Sequence, residues 1–311
     1  MLVCSQHSAS GKGAGAFLTT LPTRGDLELK RSEMLVAVRW RLGMPLPAVT
    51  PLVGAQCKCG HRLVHCDLDG THVLNCKRCG GCGWSRRSGH VQRRLRDLAT
   101  EAGLCASLEQ VVGSERDRTD VTIQCWPVRD SEGNRTHYND GAFRRNTLHV
   151  DVAITDVTSD SNLQHYAKQG GAANARAKRK VDKYHEQCSP QLFLPGIIEA
   201  HGRLHQDFSK LLGHLAETQI ENSETEDSLS TGEKALLKAR LVHQYYQHMS
   251  VALQKGIVHN FSISVGRIRT ASAERTAAAR GYRAAALTSS RVHQLIGREE
   301  RERAFGSQIP A

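Results

Sequence analysis

Aromatic residues are scarce in this sequence. Phe, Tyr and Trp make up 5% of the 311 residues and all hydrophobic types together 39%, so a core can form but is not large for the length. No apolar run approaches the roughly 18–20 residues of a membrane span, which excludes an integral helical membrane protein. The opening stretch MLVCSQHSASGKGAGAF lacks the apolar segment of a secretory signal, so an unexported protein is expected. No internal repeat is found, which argues against solenoids and propellers. Acidic residues are outnumbered, with Asp+Glu 31 against Lys+Arg 42 and a net charge of +11 when His is neutral. A basic chain of this kind favours nucleic acid as its partner.

The ten cysteines are unevenly placed. Cys57, Cys59, Cys66, Cys76, Cys79 and Cys82 share one short segment, whereas Cys4, Cys105, Cys125 and Cys188 are scattered and are expected to be ordinary thiols. A tight cluster interleaved with histidine, in a chain without a secretory signal, points to metal ligands rather than disulfides. The clearest pattern is C-x-C-x12-H-x3-C over Cys57, Cys59, His72 and Cys76, with Gly60 and Gly70 suited to a knuckle-like turn. Two short-spaced pairs of soft or borderline ligands suit tetrahedral zinc, and four protein ligands make the site structural rather than catalytic. His61, His65, Cys66, Cys79 and Cys82 are surplus donors that can substitute or complete a second site.

Along the chain, residues 1–54 are expected to be a flexible linker and one helix, 55–85 a zinc knuckle, 86–206 an α/β domain, and 207–311 an acidic linker with a helical basic tail. In the first helix Leu35, Val38 and Leu42 sit at helical spacing, stopped by Gly43 and Pro45. After the knuckle, Val91, Leu95, Leu98, Ala99 and Ala102 form one stripe, opposed by Arg93, Arg94 and Arg96. Strand patterns follow: Val121, Ile123 and Cys125 alternate with polar residues, and Leu148, Val150, Val152 and Ile154 point away from His149, Asp151, Ala153 and Thr155. Arg129–Asn146 between them is expected to be a long hairpin loop. A basic helix runs through AKRKVDKYHEQ, and QLFLPGIIEA is a further buried strand whose Pro195 argues for an edge or a bulge. Glu221–Asp227 is an acidic linker, Ser230 to Glu233 a capping box, and Leu237, Leu241 and Tyr245 one face of the helix it starts. Strands in the middle with helices on both sides suggest a mixed α/β domain.

If the two central strands pair, Asp120 and Asp151 can converge on one hard cation such as Mg²⁺. A cation so held polarises a phosphodiester and lowers the pKa of an attacking water. Lys180, Lys183 and Tyr184 lie on the following helix, where a lysine would stabilise charge on phosphate.

From GAGAFLTTLPTRGDLELKRSEMLVAVRWRLGMPLP, through CKCG and DLDGTHVLNC, to RTDVTI, LHVDVAITDV and KRKVDKY, residues 13–205 resemble in order the C-terminal region of non-LTR retrotransposon (LINE-type) polyproteins. The resemblance implies a CCHC zinc knuckle followed by a restriction-like endonuclease of the PD-(D/E)xK superfamily, with a mixed sheet flanked by helices. Carried over, the zinc ligands are Cys57, Cys59, His72 and Cys76, and the acidic positions are Asp120, preceded by Thr119 in place of the usual Pro, and Asp151. Ala153 stands where most of the superfamily has a strand lysine; the K-x-x-K-Y pattern of Lys180, Lys183 and Tyr184 would supply it from the helix, and Glu109 would be the additional acid. No Y-x-D-D box is present, so the chain is a fragment, a degenerate copy or a captured gene.

The leading expectation is a Mg²⁺-dependent nuclease that nicks DNA in the nucleus. Its phosphate contacts would come from Arg86, Arg87, His90, Arg93, Arg94, Arg96, Lys178 and Arg179. A catalytically inactive, zinc-dependent module that binds DNA or RNA, and a decayed reading frame, are the alternatives.

Overall fold

The computed structural model describes residues 2–76, 78, 83–111, 118–128, 136, 145–159, 162, 168–184, 192–223 and 228–306. Seven helices are present among them: α1 (Leu2–Ala9), α2 (Arg31–Arg41), α3 (Thr71–Asn75), α4 (Gly83–Glu101), α5 (Gly171–Tyr184), α6 (Gln206–Glu221) and α7 (Thr231–Gly306). Four strands, β1 (Cys105–Val111), β2 (Arg118–Pro127), β3 (Arg145–Thr155) and β4 (Phe193–Glu199), form one sheet in the order β1-β2-β3-β4. The first three run antiparallel, and β4 pairs parallel with β3 because α5 carries the chain back between them. The result is α/β with a mixed sheet. No helix among the described residues is long and apolar enough to cross a membrane.

The apolar periodicity of α4 is realised in full. Val91, Leu95, Leu98, Ala99 and Ala102 are at most 1% exposed, and Gly103 ends the helix in the left-handed conformation, φ +78°, that glycine adopts without strain. On β3, Leu148, Val150, Val152 and Ile154 enter the same core as α4, while Ala153 packs on the other side with Ala173 and Ala177 of α5 and Ile197 of β4. The strand is therefore buried on both faces, as β-strands beside a crossover helix are. Small alanines on both elements let α5 lie close to the sheet. Pro195 sits on β4 at the described edge, where a missing N–H costs no ladder bond.

Two expectations are corrected. On α2 the buried residues are Ala37 and Trp40, whereas Leu35 and Leu42 are 48% and 63% exposed. The Trp40 ring stacks on His201 at 4.3 Å, and burying that large surface sets the rotation of the helix. On β2, Val121 and Ile123 are buried but Cys125 is exposed, because the register shifts between Ile123 and Trp126 and Cys125 takes φ +58°. The polar loop between β2 and β3 lies almost wholly outside the described residues, although the antiparallel pairing it would connect is present.

The helical tail starts where its sequence indicates. The capping box forms as expected, Ser230 N donating to Glu233 Oε2 at 2.8 Å and Glu233 N to Ser230 Oγ at 3.3 Å. The helix it starts is packed rather than peripheral: Tyr245, Met249, Leu253, Ile257, Phe261, Val265 and Ile268 join the main core. Trp40, Cys57, Leu74, Leu98, Val150 and Leu212 belong to that same core, so one apolar interior runs through all four expected segments. Gly256 makes the α4–α7 crossing possible, since a Cβ there would lie 2.3 Å from the Arg87 carbonyl oxygen.

Candidate functional site

Two chemical clusters flank the C-terminal half of β3. The first is built from a turn and a short helix. Cys57 and Cys59 lie on the turn closed by the Gln56–Arg62 bridge, which needs Gly60 at φ +96°. His72 begins the facing wall on α3, and Cys76 follows one turn later, its N–H donating to the His72 carbonyl at 2.9 Å. The donor atoms of Cys57, Cys59, His72 and Cys76 all lie within 4.8 Å of one another. Cys57 Sγ and Cys76 Sγ are 3.3 Å apart, and Cys59 Sγ is 3.6 Å from His72 Nε2.

A tetrahedron with Zn–S bonds of about 2.3 Å has sulfur–sulfur edges of about 3.8 Å, so three sulfurs and one nitrogen at this spacing fit zinc with little movement. Cys57 and Cys76 are buried in the core and Cys59 is exposed, which ties the metal position to the fold on one side only. Burial holds the His72 imidazole below its usual pKa, so it stays neutral as a ligand must. His61 stacks on His72 at 4.2 Å and meets Asp67 Oδ2 at 2.9 Å, an arrangement that makes His61, Asp67 and His72 a second, overlapping donor group. Of the surplus donors, His65 and Cys66 are exposed, and Cys79 and Cys82 lie outside the described residues.

The second cluster sits on the α5 face of the sheet. The register that pairs Val121 with Val150 brings Asp120 opposite Asp151. Each carboxyl lies in the field of the other, and Asp120 Oδ2 accepts from Val152 N at 2.7 Å. Lys180 reaches down from α5 and donates to Asp151 Oδ2 at 2.5 Å, while Asp151 is 4% exposed. Burial, reinforced by Asp151, pushes the Asp120 carboxyl up to about 7, with Lys180 pulling the other way. Two carboxylates held together away from water cannot both ionise cheaply, so a proton or a cation belongs between them.

The second lysine meets Tyr184. Lys183 Nζ lies 4.5 Å over the Tyr184 ring and 3.3 Å from its hydroxyl, and the hydroxyl donates to the Arg118 carbonyl at 2.7 Å. Tyr184 is buried and stacked on Phe193, and burial raises its pKa. Glu109 is an exposed β1 residue at φ +54°; among the described residues no hydrogen bond or ion pair joins it to either aspartate. Ala153 packs against α5, and Lys180 of that helix brings the positive charge to Asp151.

The basic residues divide by burial. Arg93, Lys178 and Arg179 are exposed, and Arg96 is half-buried beside Asp97 at 2.5 Å. Arg87 is 1% exposed, and burial pushes its guanidinium down to about 10. Arg94 is turned inward to Asp26 at 3.1 Å and Glu101 at 3.3 Å. His90 meets His259 edge-on, and burial pushes it down to about 4, so it carries no charge at neutral pH. Arg87 and Arg94 are therefore turned inward rather than toward phosphate, and His90 is half-buried and neutral. The Arg86 side chain lies outside the described residues. Arg176, which sequence reading passed over, is half-buried and within the field of Asp151. The signal was its i, i+4 spacing to Lys180.

No protein-family model matches the chain, and no curated protein matches it.

Proposed function

We propose that the chain is a metal-dependent DNA endonuclease of the restriction-like PD-(D/E)xK kind, carrying a structural zinc knuckle and derived from a non-LTR retrotransposon. The observation that carries this reading is the cross-strand pair Asp120–Asp151 with Lys180 Nζ donating to Asp151. The order α4, β1, β2, β3, α5, β4 around a mixed sheet is consistent with it. Asp120 and Asp151 would hold Mg²⁺, which supplies Lewis-acid polarisation of the phosphodiester when bound. Lys180, from the opposite side of Asp151, would orient that carboxylate and offset negative charge as water adds to phosphorus and the P–O bond breaks. Cys57, Cys59, His72 and Cys76 would hold zinc and so fix the segment before α4. The expected partner is DNA, with RNA a secondary one, and the expected compartment is the nucleus.

The alternative of a binding module without catalysis would gain if the lysines pointed away from the acidic pair. Lys180 Nζ donates to Asp151, which favours the nuclease. The test is plasmid nicking with magnesium, parent chain against Asp151→Ala at matched zinc content. Nicking by the parent alone is expected. Equal nicking by both, or none by either with DNA binding retained, defeats the nuclease reading.

A further inference from the structure

Between the metal-cluster segment and the end of β3 lies a cleft of about 970 Å³. Its lining is electrically divided. From α5 it receives Arg176 and Arg179, and from the cluster segment Asp67, Asp69 and Asn75, with Arg78 beside them. Among the described residues no ion pair is formed by Arg78, and Arg176 has only the field of Asp151, whereas Asp67 and Asp69 are occupied within their own segment by Val64, His61 and Thr71.

The cleft also holds buried acceptors without donors. Asn162 is 5% exposed; its Nδ2 donates to Thr155 Oγ1, the Asp156 carbonyl and Ser159 Oγ, but its Oδ1 accepts nothing. The Asn75 Oδ1 is likewise unsatisfied. A buried acceptor left alone is costly, so a ligand that carries N–H or O–H donors is favoured there. Phosphates carry none, and Asp67 and Asp69 repel them. Arginines on one side and acceptors on the other therefore match a strand lying with its backbone on α5 and its donors toward the cluster. In a duplex the base donors are already paired; in a single strand they are free.

We propose that this cleft binds an unpaired strand of nucleic acid, with Arg176 and Arg179 on its phosphates and Asn162 and Asn75 taking donors from base edges or 2′-hydroxyls. Arg176 lies one turn before Lys180 on α5, and Lys180 donates to Asp151, so the strand leads toward the acidic pair. This step rests on the nuclease reading for where the strand goes, but the binding is independent of cleavage.

The test uses the full, zinc-loaded chain without magnesium. Fluorescence anisotropy compares a short labelled DNA single strand, the RNA strand of matching sequence, and the DNA duplex, each over a salt series. Single strands are expected to bind more tightly than the duplex at equal salt, and the stronger of the DNA and RNA strands identifies the source of the donors. Arg176→Gln with Arg179→Gln should flatten the log–log salt slope for the single strand by roughly 1.4, two phosphate contacts at about 0.7 each. Arg179→Gln alone, at an exposed site that does not threaten folding, should flatten it by about half of that. Duplex binding as tight as single-strand binding, or an unchanged slope in both variants, overturns the proposal. Loss of nicking in Asp151→Ala with these binding results intact concerns catalysis only, so the two readings fail separately.

Discussion

The shared proton of the acidic pair has a measurable consequence for stability. Asp120 is pushed from its ordinary 3.8 up to about 7 by burial and by Asp151. A folded value above the unfolded one means that protonation favours the folded state. The contribution is therefore complete below about pH 4 and is lost as pH rises through about 7. Each unit corresponds to about 1.4 kcal/mol, so between pH 6 and pH 8 the group should remove about 1.4 kcal/mol of stability. Asp120→Asn keeps the shape and removes the titration. Urea unfolding of both chains at pH 6 and pH 8, with zinc constant and magnesium absent, isolates the effect because every other titration is common to the two. The parent should lose about 1.4 kcal/mol more than the variant over that interval. Added magnesium should cancel the difference, since a cation replaces the proton, and its apparent affinity should fall about tenfold per unit below pH 7. Identical pH dependence in parent and variant would refute the assignment of a shared proton to Asp120 and Asp151.

Lys180→Gln should lower the nicking rate by ~100-fold with strand binding retained, whereas Lys183→Gln, whose lysine faces Tyr184, should cost less than about tenfold; equal losses in single-turnover rates would contradict the division of roles. Metal analysis should find one zinc per parent chain, and Cys57→Ser should lose it together with thermal stability, while Cys105→Ser, exposed on β1, should keep both. Gly256→Ala should cost about 1–3 kcal/mol in urea unfolding because its Cβ meets the Arg87 carbonyl, whereas Gly266→Ala on the same helix has open space and should be neutral or stabilising. A null effect at Gly256 would mean that the α4–α7 crossing can widen freely.

Much of the architecture was legible before any coordinates. Alternation along β3, the stripe on α4 and the Ser230 capping box are local patterns, and local patterns are what backbone geometry imposes on a sequence. The C-x-C and H-x3-C spacings likewise carry their own geometry, because residues four apart on a helix lie one above the other and a two-residue step spans a turn. The positions of Asp120 and Asp151 were readable too, once the strands were recognised. Their direct opposition was not, because it depends on the β2–β3 register.

What only the tertiary structure decided is which surfaces are covered. Sequence periodicity orients an element relative to itself and says nothing of a second element packed on its other side. Hence Arg94, which spacing placed on the outer face of α4, is buried, and Arg87 and His90, expected to meet phosphate, are buried and half-buried where other elements pack on α4. The helix that the capping box starts supplies a wall of the core through Leu253, Ile257 and Phe261, a role that depends on what it touches and not on its own pattern. The contact of Lys180 with Asp151 follows from the same cause. It depends on α5 docking on the sheet through Ala173 and Ala177 against Ala153, which no helical spacing specifies.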